Sequence, residues 1–213
     1  DRDNADRVAS GLSSFQIGRA VKTSGDYSFT MGNNQTNTGN YSFVFGQVNN
    51  NSGSNSFAFG TGATTTGSYA FAFGSGATVS ANGGFAFGSS TASGAGGGVA
   101  IGEVCTASSN NAFAIGAYCT ASNVRSIAMG YESVSSGYDS IGLGRQANTF
   151  GIQGRLTHSS GRIGTSGDSQ LSKFLLQGRT TDAIATTLVA TWQALGSTPN
   201  ANNQVILSNQ SAY

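Results

Sequence analysis

A glycine closes a short apolar triplet at Gly18, Gly32, Gly46, Gly60, Gly74, Gly88, Gly102, Gly116, Gly130 and Gly144, and every interval is fourteen residues. The triplets read FQI, FTM, FVF, FAF, FAF, FAF, VAI, FAI, IAM and IGL. Ten copies in register, without an insertion or deletion, point to a stacked repeat architecture rather than to chance recurrence in a tract rich in glycine and phenylalanine.

The physics of one copy follows from its spacing. Large–small–large is alternation, so each triplet is a strand with both large residues on one face. The closing glycine predicts a positive φ, which ends the strand. A few residues later comes a second short segment of small residues: Ala63 and Thr65, Ala77 and Val79, Cys105 and Ala107, Cys119 and Ala121. Glycines at Gly25, Gly39, Gly53, Gly67 and Gly137, seven residues after a closing glycine, mark a second turn. Two short strands and two turns make one flattened coil, and coils stacked at the parallel-strand spacing of about 4.8 Å give a rod of about 45–50 Å.

Stacking sets like residues above one another. One predicted column holds Phe29, Phe43, Phe57, Phe71, Phe85, Val99, Phe113 and Ile127. The other holds Met31, Phe45, Phe59, Phe73, Phe87, Ile101, Ile115 and Met129. Burial of large apolar surface predicts that both columns form the core ladder. The middle residue, alanine at 58, 72, 86, 100, 114 and 128, then faces outward as a smooth surface of the kind that marks an interface. No charged side chain occurs from Tyr27 to Gly102, which removes the usual protection against association. Together these predict a homo-oligomer of rolls packed side by side.

Composition supports the reading. Glycine makes up 32 of 213 residues, and charged residues are only 9%, so polarity comes from Ser, Thr, Asn and Gln interleaved with 13 phenylalanines. That mixture suits turn-rich β-structure. A net charge of +1 provides no basic field for nucleic acid or anionic lipid. No run of 18 or more apolar residues predicts a membrane-spanning helix, and the opening DRDNADRVASGLSS lacks the apolar segment of a signal peptide.

The stretches GGGVAIGEVCTASSNNAFAIGAYCTAS (96–122) and SNVRSIAMGYESVSSGYDSIGLGRQA (122–147), with the period itself, resemble the YadA-like head repeat of trimeric autotransporter adhesins, which also recurs in bacteriophage fibres. The resemblance covers about residues 12–150. It implies a left-handed parallel β-roll, three rolls forming one trimer. Phenylalanine stands here where that family favours valine or isoleucine.

The domain organisation read from the sequence is an N-terminal connector (1–11), a roll of ten repeats (12–150), a neck (151–167) and a β-domain (168–213). His158 stands where the next closing glycine would fall, and charge returns at Arg145, Arg155, Arg162, Asp168 and Lys173. Strand-like runs at 172–179, 186–193 and 203–208 predict a small antiparallel β region, with helix the competing expectation for 182–195. The final strand-like run suggests a piece of a longer polypeptide. The segment SSGRIGTSGDSQLSKFLLQGRTTDAIATTL (159–188) resembles a segment of phage tail-fibre and related structural proteins.

Candidate chemistry is sparse. Cys105 and Cys119 fall one above the other, but stacked Cβ atoms about 4.8 Å apart and aimed alike suit two small buried thiols better than a disulfide, which needs about 3.8 Å. His158 is the one histidine and has no nucleophile pattern around it; a trimer brings three copies towards an axis, where an ion site is the alternative to a plain neck residue. GTGATTTG and GSGATVSANGG lack the lysine ending and helix of a phosphate loop. Asp26, Glu103, Glu132 and Asp139 form no paired-carboxylate geometry for sugar cleavage. Tyr27, Tyr41, Tyr69, Tyr118, Tyr131 and Tyr138 are candidates for stacking on glycans.

The sequence thus predicts no enzyme, no cofactor and no metal, but a structural fibre protein of a bacteriophage virion, assembled in the bacterial cytoplasm. Its expected partners are itself as a homotrimer, other virion proteins and a host-surface glycan or protein. The alternative is the head of a bacterial trimeric adhesin at the cell surface. A depolymerising tailspike and a threonine-ladder ice binder fit less well, for want of clustered carboxylates and of regular threonine spacing.

Overall fold

The computed structural model describes residues 9–94 and 96–173. These residues contain no helix and form 19 strands joined in one sheet system. Each coil has a longer strand and a short one. Phe57–Thr61 pairs in parallel with Phe43–Gln47 on one side and Phe71–Ser75 on the other, each residue opposite its counterpart fourteen positions away. Thr64–Thr65 is likewise held between Asn50–Asn51 and Thr78–Val79. The pattern repeats from Phe15–Thr23 to Ile141–Arg145, so the protein is a parallel β-solenoid of ten fourteen-residue turns.

The closing glycines have two reasons to be glycine. At Gly74 the φ is +133°, and a Cβ would lie 2.0 Å from the carbonyl oxygen of Gly88 in the next coil. The second-turn glycines have only the second reason. Gly53 has no positive φ, but a Cβ there would meet the Gly67 carbonyl at 1.9 Å. The left-handed residue of that turn comes two positions later, at Tyr27, Tyr41, Asn55 and Tyr69.

The side-chain assignment within the coil is the reverse of the expectation. Ala58, Ala72, Ala86, Ala100, Ala114 and Ala128 are fully buried and line the inside of the roll. The side chains they meet come from the short strands and the residues just before them: Ala63, Ala77, Val79, Cys105, Ala107, Cys119 and Ala121. The expected core ladder, Phe29, Met31, Phe43, Phe45, Phe57, Phe59, Phe71, Phe73, Phe85, Phe87, Val99, Ile101, Phe113, Ile115, Ile127 and Met129, stands on the outer face and is half-buried or exposed. The two strands of a coil lie close, and the interior between them is filled by alanine, serine, threonine, cysteine and valine. A phenyl ring there would force the coils open.

The first coils carry a polar interior. Asn51 Nδ2 donates to Asn37 Oδ1 at 2.8 Å. Ser42 Oγ donates to Asn37 Oδ1 and Ser56 Oγ to Asn51 Oδ1, each at 2.6 Å. Asn49 Nδ2 donates to the Phe45 and Gly60 carbonyls, while its Oδ1 accepts from the Ala63 amide. These three asparagines thus find partners in side chains and backbone, whereas the Nε2 of the buried Gln35 has none among the described residues.

The parallel ladder runs past the boundary expected at 150. Leu156–Ser160 pairs in parallel with Ile141–Arg145, with Ile141 opposite Leu156 and Leu143 opposite His158. The offset is fifteen, so one extra residue hides an eleventh rung within the span expected as a neck. Gln170–Lys173 then pairs antiparallel to Leu156–Ser160 and ends the parallel run. The strand-like runs at 186–193 and 203–208, the helical alternative at 182–195, most of 172–179 and most of the connector 1–11 lie outside the described residues.

Candidate functional site

The outward ladder is the most distinctive surface of the described residues. Alternation puts both large residues of each triplet on the same face, and exact register stacks their rings. Phe43 and Phe57 have centroids 4.9 Å apart with planes 7° from parallel, and Phe57 and Phe71 lie 5.0 Å apart. In the second column Phe59 and Phe73 are 4.6 Å apart at 3°. Stacking covers the ring faces and leaves the outer edges bare: Phe87 is 43% exposed, Phe113 39% and Met129 40%. A polar column, with Gln47, Thr61, Ser75 and Ser89 at the ends of successive strands, borders this apolar face.

His158 occupies the second ladder column, opposite Leu143 on one side and Leu171 on the other. It is exposed, and no carboxylate ion-pairs with it among the described residues. Cys105 and Cys119 are free and buried, each Sγ bonded to a carbonyl of the next coil, Gly116 and Gly130, at 3.2 Å. Burial pushes the Cys119 thiol pKa up.

The tyrosines fall into separate groups. Tyr27 and Tyr41 are stacked at 5.1 Å on one edge of the roll, and Tyr69 projects from the same column two coils further on. Tyr118 and Tyr131 meet edge-to-face at 5.9 Å on the other edge. Tyr118 donates its hydroxyl to Glu103 Oε1 at 3.2 Å, and the charge of Glu103 holds the phenol above its ordinary pKa. Arg145 sets its guanidinium 5.8 Å from the centre of the Tyr131 ring. Tyr138 is exposed and stands apart.

Near the last rung a cleft of about 410 Å³ is lined by Arg145, Gln146, Ser160, Gly161, Arg162, Ile163 and Ser169. Sequence reasoning noted the return of charge here but did not join these residues into a site. Their spacing, across a fifteen-residue coil and an antiparallel strand, follows no repeat. The signal available was the clustering of arginines just where the fourteen-residue period ends.

Residues 52–77, 66–91 and 121–147 match the family model of the YadA head domain repeat (2 copies). A search of curated proteins finds no match. Residues 52–91 and 121–147 of the solenoid are thus similar to the YadA head domain repeat, in agreement with the stacked fourteen-residue coils.

Proposed function

We propose that the chain is a structural fibre protein of a bacteriophage virion, working as a homotrimer that acts as a rigid spacer and attaches to the host surface. The observation that carries the reading is the apolar ladder on the outer face. A row of phenylalanine, isoleucine and methionine edges bordered by polar residues is a surface that a partner covers. A second and third copy of the same roll offer matching rows at the same axial spacing. The YadA-like head repeat supports three copies, since rolls of that family form trimers.

The phage assignment rests on the resemblance of residues 159–188 to tail-fibre segments. The head of a bacterial trimeric adhesin is the second reading, favoured by the family match itself. Both are adhesive or structural roles, as a YadA-like head solenoid is, and neither asks for catalysis. Other virion proteins are partners under the first reading only.

Sedimentation velocity tests the assembly. The wild-type chain sediments as a trimer. Phe73→Asp sediments as a monomer with an unchanged far-ultraviolet spectrum, because each buried uncompensated charge costs about 3–5 kcal/mol at an interface and nothing comparable on an open face. A wild-type monomer, or a Phe73→Asp trimer, sinks the assignment of the ladder to a subunit interface. Immunogold labelling separates the two settings: gold on purified virions supports the fibre, and gold on the cell envelope supports the adhesin.

A further inference from the structure

We propose that the cleft beside the last rung binds an acidic sugar, one that carries a sulfate or phosphate group. The inference deepens the attachment role proposed above and rests on it, but the cleft is formed within one chain.

Arg145 and Arg162 both line the cleft, and neither has a carboxylate within ion-pairing distance among the described residues, where Arg125 with Asp139 is the ion pair present. The nearby carboxylates have other partners: Asp139 pairs with Arg125. Glu132 accepts from Gln146 Nε2 at 2.5 Å. Asp168 accepts from the amides of Ile163, Gly164 and Thr165 at 2.9, 2.6 and 2.7 Å. Two guanidiniums therefore line one cleft without a direct ion-pair partner among the described residues, in a rod whose shaft has no charged side chain from Tyr27 to Gly102. Arginine's planar fork matches the oxygens of sulfate and phosphate.

The cleft is also built. Gln146 is 3% exposed and holds a left-handed φ of 58°, its side chain fixed by Glu132 and its carbonyl accepting from Ser166 Oγ at 3.0 Å. Ser160 and Ser169 add hydroxyls to the wall. The guanidinium of Arg145 lies against the Tyr131 ring, which limits its freedom before any ligand arrives.

Size and surroundings select a sugar over a bare ion. A volume of about 410 Å³ falls within the range of about 300–1,000 Å³ found for small-molecule sites. Outside the cleft, Tyr131 beside Arg145 and Tyr118 beside Tyr131, both about two-fifths exposed, offer aromatic surface to the apolar face of a pyranose ring. Arg145 extends the polar column at the border of the ladder, so the cleft lies beside the ladder rather than on it.

Calorimetric titration of the wild-type protein with a sulfated hexasaccharide, a phosphorylated hexasaccharide, their uncharged counterparts and inorganic sulfate tests the proposal. At least one charged hexasaccharide binds, at least about tenfold tighter than its uncharged counterpart and than free sulfate. Arg162→Gln weakens that binding about tenfold or more, Arg145→Gln/Arg162→Gln weakens it further, and Lys22→Gln at the far end of the rod changes it by less than about twofold. Sedimentation of each variant matches the wild type, which separates loss of the cleft from loss of the trimer. The proposal is overturned if neither charged hexasaccharide binds the wild type, if the double variant binds as the wild type does, if Lys22→Gln loses as much as Arg162→Gln, or if free sulfate binds as tightly as the sugars.

Discussion

At the scale of single residues, the roll depends on backbone positions where no side chain fits. Gly74 combines a φ of +133° with a neighbouring carbonyl 2.0 Å from where a Cβ would sit. Gly74→Ala therefore costs about 3 kcal/mol or more, since strain and a backbone clash add. Gly62, at φ +69° with nothing nearer than 3.9 Å, is only a left-handed turn residue, and Gly62→Ala costs about 1–2 kcal/mol. Urea unfolding of the two variants measures the difference; equal losses would remove the stacking clash as a cause. Asp168 gives a residue-scale pH dependence. Three backbone amides, that of Ile163 first, hold its carboxyl below the usual carboxylate range. A group with a depressed folded pKa contributes stability above its unfolded value of about 3.9, and that contribution fades as the pH falls through the lower folded value. Amide exchange at Ile163, Gly164 and Thr165 accelerates in acid below about pH 4 beyond its intrinsic change, and Asp168→Asn abolishes that acid dependence.

At the scale of the strand, one alternating pattern serves two surfaces of different width. Ala72 faces a closed interior, fully buried against its neighbours, while Phe71 and Phe73 face out. Ala72→Leu thus costs about 1–3 kcal/mol by overpacking in any assembly state. Phe71→Leu changes the monomer by less than about 1.5 kcal/mol, as a hydrophobic swap does at a half-buried site. Urea titration of the monomeric Phe73→Asp background checks both, and a larger loss from Phe71→Leu would restore the ring to the interior. This contrast also explains what was legible in the sequence. Period, strand, turn and register all follow from glycines fourteen residues apart, because spacing alone fixes which residues stack. Which face is inside does not follow from spacing. Alternation says that Phe71 and Phe73 share a face, and only the narrow gap between the two strands of a coil decides that alanine takes the interior. The eleventh rung was hidden by the fifteen-residue step from Ile141 to Leu156, and the arginine cleft by its assembly from segments that obey no period.

At the scale of the whole molecule, stability is distributed along the rod. Each coil touches the one before and the one after, so the total is a sum of coils and their junctions, and no single layer is indispensable. The register makes this testable by deletion. Removing residues 62–75 joins Thr61 to Gly76, which stands where Gly62 stood, and every remaining residue keeps a counterpart above and below. The shortened chain folds cooperatively and keeps the wild-type oligomeric state, with its stability lowered by about one coil's share. Removing residues 62–68 takes out half a coil instead. The strand at Phe71 then arrives where the short strand belongs, its rings beside the polar column of Asn50 rather than on other rings, Ala81 falls where the closing glycine Gly74 stood at φ +133°, and the stack is interrupted at its centre. Circular dichroism melts and sedimentation of the two deletions distinguish the cases. If the seven-residue deletion folds as well as the fourteen-residue one, the coil is not the unit of this structure, and the match of each residue to its counterpart fourteen positions away no longer accounts for the fold.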